Sequence, residues 1–125
     1  MASQPSSSDV NAPNFDRELI SNEDLIRSFI LALGAGSRKQ KTLIVYEDSI
    51  RMLSDFTRDL GLPGLTTMDR THIRHCLTSL HKKGNKPATV SVRYRSLNRF
   101  FNWCVTEEER RDNPMDRVDP PKIPS

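Results

Sequence analysis

From about residue 22 onward, apolar residues return at steps of three and four, with turn-forming residues between the runs. Four stretches of this kind predict four helices. The first runs from Asn22 to about Leu33, with Leu25, Ile26, Phe29, Ile30 and Leu33 on its buried stripe. Ser21 or Asn22 is suited to cap it, Glu23 and Asp24 suit the positive end of its dipole, and Gly34 and Gly36 are expected to stop it in left-handed backbone. The second runs from about Lys39 to Leu60. Leu43, Tyr46, Ile50, Leu53 and either Phe56 or Thr57 form its stripe, with Leu60 near the end, and Gly61 and Pro63 terminate it.

The third helix is expected from about Met68 to Lys83, capped by Thr67, with Ile73, Cys76, Leu77 and Leu80 inward and Gly84-Asn85 closing it. The stretch from Lys86 to Met115 organises the chain. Its helix starts near Pro87, a residue favoured at a first helical position, and lasts to about Glu107. Val90, Tyr94, Leu97, Phe101 and Cys104 form the apolar seam. The acid–base cluster Glu107 to Asp112 reads as a solvated helix end, and Asn113-Pro114 as the break. No alternating run long enough for a sheet occurs, so the fold class is all-α, four helices with short connections.

Residues 1–20 are rich in Ser, Asn, Pro and Asp and predict a disordered N-terminal tail, because they bury too little apolar surface to offset ordering entropy. Residues 21–112 form the helical domain. Residues 113–125 read as a stiff, Pro-rich linker leading to a further domain.

Charge sharpens this picture. The chain totals +3, yet residues 1–36 carry −3, leaving +6 on the rest. From Cys76 to Thr106 there are Lys82, Lys83, Lys86, Arg93, Arg95 and Arg99 and no acidic residue, the footprint of a phosphate-binding surface. Lys86, Arg93, Arg95 and Arg99 are expected to project from the circumference of the fourth helix away from its seam. Lys82 and Lys83 also complement the negative end of the third helix and so carry less weight. The second helix opens on Arg38, Lys39 and Lys41, the unfavourable sign for that end of a helix, which phosphates would offset.

Other chemistry is set aside. His72, His75 and Cys76 with Cys104 lack the spacing of a four-ligand zinc site, so no metal or other cofactor is expected. No phosphate-cradling glycine loop is present, and Glu107, Glu108 and Glu109 point in different directions on a helix. The N-terminus has no basic-then-apolar leader and no run spans a bilayer, so a reducing cytoplasm with two free thiols is expected, with neither a membrane nor a small-molecule substrate as partner.

Three stretches resemble a known family. They are Thr42-x3-Tyr46 continuing to Ile50, Leu53 and Phe56; Leu65-Thr66-x6-Ile73 followed by Leu77, Leu80 and Gly84; and Thr89-Val90 through Leu97-x2-Phe100-Phe101-x-Trp103 to Asn113-Pro114-Met115 and Pro121-Lys122. In this order they resemble the core-binding domain, the SAM-like N-terminal domain, of tyrosine recombinases such as phage integrases. The resemblance implies a four-helix orthogonal bundle that grips double-stranded DNA, with the second and fourth helices crossing the major groove, further protomers on the same DNA, and a separate catalytic domain. It also implies no strand cleavage by this chain alone, since Tyr46 and Tyr94 sit on helix stripes. By position, Arg38, Lys39, Lys41 and Thr42 on the second helix and Lys86, Thr89, Ser91, Arg93 and Arg95 on the fourth are the candidate DNA contacts. Arg93 and Arg95 are favoured for base edges, Arg38 and Lys39 for phosphates, and Arg99 for a structural role. A helical protein-interaction module and a stand-alone DNA-binding accessory factor remain as other readings.

Overall fold

The computed structural model describes residues 21–36 and 38–122, so the predicted disordered tail lies outside the described residues. Four α-helices follow in order: α1 (Asn22–Ala35), α2 (Gln40–Asp59), α3 (Arg70–Lys82) and α4 (Pro87–Thr106). Short 3-10 turns occupy Leu65–Thr67 and Pro114–Arg117, and no strand occurs among the described residues.

The predicted stripes become the core. Leu25, Ile26, Phe29 and Leu33 of α1, Ile50 and Leu53 of α2, and Ile73, Cys76, Leu77 and Leu80 of α3 are buried around Val90, Leu97, Phe100, Phe101 and Cys104 of α4. Phe29 ties the layers together. Its ring meets Phe100 edge-on at 5.1 Å, Trp103 at 5.4 Å and Tyr46 at 6.0 Å. Of the two alternatives at the end of α2, Thr57 is fully buried and Phe56 partly so, whereas Leu60 is 48% exposed, past the reach of the core.

Ser21 caps α1, its Oγ accepting from the Asp24 N–H at 3.0 Å. Asn22 is thereby free for tertiary work. Its Nδ2 donates to Ser54 Oγ and Thr57 Oγ1, and its Oδ1 accepts from the Leu65 N–H at 2.9 Å. One amide thus joins the start of α1 to the end of α2 and the turn beyond.

Several boundaries differ from expectation for local reasons. Gly36 ends α1 at φ −85°, so no left-handed residue is used there; Gly61 and Gly84, at φ 73° and 91°, do use it. Thr67 does not cap α3. Its hydroxyl donates to the Gly64 carbonyl inside the 3-10 turn, and Met68 is extended and fully buried. Asp69 takes the cap in a reciprocal box: its Oδ1 accepts from the His72 N–H, and His72 Nδ1 accepts from the Asp69 N–H at 3.0 Å.

The cluster after α4 is solvated at Glu107, Glu108, Arg111 and Asp112, as expected, but Glu109 and Arg110 turn back onto the fold. The helix stops at Thr106, Glu108 turns left-handed at φ 62°, and the N–H groups of Glu109 and Arg110 return to the Cys104 carbonyl. This turn swings the Arg110 side chain, only 9% exposed, over the Phe101 ring and onto the carbonyls of Leu65, Thr66 and Met68. Within the segment read as a linker, Asn113, Pro114, Met115 and Val118 are buried. The Asn113 amide donates to Asn98 and Asn102 of α4, Tyr94 Oη donates to the Val118 carbonyl at 2.8 Å, and Arg74 donates to the Arg117 carbonyl.

Candidate nucleic-acid interface

The four helices begin in two ways. Ser21 and Asp69 cap α1 and α3 with side-chain hydrogen bonds. α2 and α4 instead have lysines, Lys39 and Lys86, at the capping position, with no side-chain cap bond and no acid in the first turn. The exposed N–H groups at these two ends are left to solvent or to an anion. Arg38, Lys39, Lys41 and Lys86 are all exposed, and Thr42 and Thr89 are half-buried beside them.

Charge is distributed in the same sense. Every ion pair between permanently charged groups among the described residues uses Arg27, Arg51, Arg58 or Arg110 as the cation. None uses Arg38, Lys39, Lys41, Lys86, Arg93, Arg95 or Arg99. From Arg70 to Thr106 the sequence has no carboxylate, so the eight lysines and arginines there have no acidic neighbour on their own helices.

The α4 cations do not share a single face. Arg93 and Arg95 are two residues apart, about 200° around the helix. Arg95 lies on the solvent side with Arg99, and both are exposed; Arg99, expected to be structural, makes no ion pair among the described residues. Arg93 lies on the same side as Lys86, seven residues back, at the edge turned toward α2. Its Nη1 donates to Ser49 Oγ of α2 at 3.0 Å. Ser91, a predicted contact, is only 7% exposed and accepts from Arg95 Nη1 at 2.8 Å. The structure therefore places Arg93 at the α2–α4 junction, with Lys86 and Thr89 on the same side of α4, and separates them from Arg95.

Sequence reasoning missed Ser49. It is fully buried, donates to the Val45 carbonyl at 2.9 Å and so has its oxygen free to accept from Arg93. Its position between Tyr46 and Leu53, on the apolar stripe of α2, was the available signal.

The tyrosines and cysteines are packing residues here. Burial raises the Tyr94 hydroxyl pKa above its ordinary value, with Asp119 adding to it. Cys76 and Cys104 are buried, and desolvation pushes their thiols up to about 11 and about 12. No group of three or more potential metal ligands occurs among the described residues, where His72 completes the capping box of Asp69. None of the described helices is long and apolar enough to cross a membrane.

Comparison with known proteins adds an independent line. Residues 26–108 match the family described as phage integrase, N-terminal SAM-like domain. Curated relatives include the tyrosine recombinase XerC of Escherichia coli K12 / DH10B and that of Escherichia fergusonii, each 30% identical over 83 residues. The aligned segment is 66% of this chain and 28% of those relatives, so the chain spans only a fraction of their length. No solved structure matches.

Proposed function

The chain belongs to the family of phage integrase N-terminal SAM-like domains, and from that premise we propose that it is the core-binding domain of a tyrosine site-specific recombinase. In this role it grips the arms of a recombination site through the major groove and positions a separate catalytic domain. It acts on double-stranded DNA in the cytoplasm alongside other protomers, and does not cut DNA by itself. The observation that carries the reading is the pair of open, lysine-started helices, α2 and α4, with basic residues that no internal carboxylate neutralises. Such cations release counterions when they meet phosphates, so they supply affinity that falls with salt. Arg38, Lys39, Lys41, Thr42, Lys86 and Thr89 serve phosphates in this scheme, and Arg93, on the same side of α4 as Lys86, is the group with the reach and geometry for base edges.

The test is a titration of a fluorescent duplex of about 30 base pairs at several salt concentrations. Affinity is expected to fall linearly in log–log form, with a slope near −0.9 for each phosphate neutralised. Lys86→Ala should weaken binding to all sequences and flatten the slope by about one ion. A chain with an intact helical spectrum and no measurable binding at low salt would overturn the reading in favour of a protein-interaction module.

A further inference from the structure

We infer that Ser49, a buried serine of α2, is a positioning residue that presets the Arg93 side chain for DNA across the helix–helix junction. This rests on the reading just given. Ser49 has no exposed surface and cannot touch a ligand itself. Its hydroxyl proton is committed to the Val45 carbonyl at 2.9 Å, which fixes the rotor and directs a lone pair outward. Arg93 Nη1 donates to that oxygen at 3.0 Å. Nε and Nη2 have no partner among the described residues, and they form the two-pronged edge that matches a phosphate or the O6 and N7 of a guanine.

The choice of partner is what matters. On α2, Arg51 is held by Glu23 at 2.7 and 3.0 Å and by Glu47 at 2.9 Å, so its guanidinium is occupied and neutralised. Arg93 is held by a neutral hydroxyl. It loses rotamer freedom but keeps its full charge and its bidentate edge. Ordering a long side chain before binding removes an entropic cost from the binding step. Arg95 is held in the same manner by the Ser91 hydroxyl on α4. Because the tether to Arg93 comes from a different helix, it also fixes where that arginine stands relative to α2.

The experiment is a double-mutant cycle on duplex affinity with Ser49→Ala, Arg93→Ala and the combination, with Ser49→Cys as a near-isosteric second variant. Arg93→Ala is expected to cost roughly 5- to 100-fold and about one ion of salt slope. Ser49→Ala and Ser49→Cys are expected to cost about 3- to 10-fold at unchanged salt slope, since no charge is removed. In the double variant the Ser49 change should add nothing to the Arg93 loss. Selection from a randomised duplex pool then identifies the acceptor. Relaxed preference at one position in both single variants assigns guanine, and a uniform loss assigns phosphate; either supports the positioning role. Ser49 variants that bind within twofold of wild type, or losses that multiply in the double variant, overturn it. A wild-type chain that does not bind duplex DNA at all overturns instead the functional reading beneath it.

Discussion

α1 and α3 differ from α2 and α4 at their first turns. The first pair are finished internally: Ser21 and Asp69 satisfy their free N–H groups, and α1 has two acids beside its dipole. The second pair place a lysine where a cap belongs and leave the same groups open. A fold with no external partner would gain by capping all four. Two helices forgo this, and their open starts carry Arg38, Lys39, Lys41 and Lys86, which pair with no carboxylate among the described residues; in the function proposed above an anion takes the place of the cap there, although the capped α3 carries unpaired cations as well. The arginines divide similarly. Arg27, Arg51 and Arg58 face carboxylates, whereas Arg93 and Arg95 lean on serines.

The contrast is open to attack at several strengths. The strongest is Arg110→Ala. That side chain donates through Nη1 to three carbonyls just ahead of α3, the buried Met68 carbonyl among them, and covers Phe101, so its loss removes these bonds and uncovers the ring. Urea unfolding should show a loss of about 3 kcal/mol, and Arg110→Lys should restore it only in part, because an ammonium can replace the single Nη1 at the carbonyls but not the planar group that covers Phe101 and reaches Asp112. A loss below ~1 kcal/mol would mean that the arginine does not hold this turn. Next is Asp69→Ala, expected to cost about 1 kcal/mol as a lost cap. The His72 backbone N–H holds the Asp69 carboxyl below its usual value, so the cap's contribution is present above the unfolded value of 3.8 and fades as pH falls through the lower folded value. The difference between wild type and variant in thermal unfolding should therefore close in strong acid and remain flat at neutral pH.

A more discriminating change is Lys86→Ser, with Lys39→Ser as its counterpart. Supplying a cap should raise stability by about 0.5–1 kcal/mol while weakening duplex binding. If stability rises and binding is unaffected, the open start has no role in recognition. The smallest effect is expected from Arg51→Ala. Its carboxylate partners are about four-tenths exposed, so the ion pairs contribute little, and the loss should shrink in 1 M salt, where the screening length falls to about 3 Å.

The sequence carried the helices well and the tertiary polar contacts poorly, for reasons visible in single residues. Ile73, Cys76, Leu77 and Leu80 announce α3 because burial imposes a period. The start of α3 was misjudged because Thr67 and Asp69 are both competent caps, and only the return bond from His72 selects between them. Arg110 was unreadable, since its acceptors are backbone carbonyls 42 to 45 residues away that any residue type would supply. Arg93 and Arg95 are neighbours in the charge run but stand on nearly opposite sides of α4. Counting charge along the sequence ignores azimuth, and two residues on a helix are nearly opposite each other. Ser49 was hidden in the opposite way, as a polar residue on an apolar stripe whose partner lies on another helix.

The deep placement of Cys76 and Cys104 has a practical reach beyond folding. With thiol pKa values near 11 and 12, fewer than about one in a thousand of either is ionised at neutral pH, and neither sulfur is open to a reagent. A cysteine introduced at the exposed end of α4, for example at Thr106, would then be the one maleimide-reactive site. Fluorophores for following this domain on a duplex, molecule by molecule, can be attached with the native cysteines left in place.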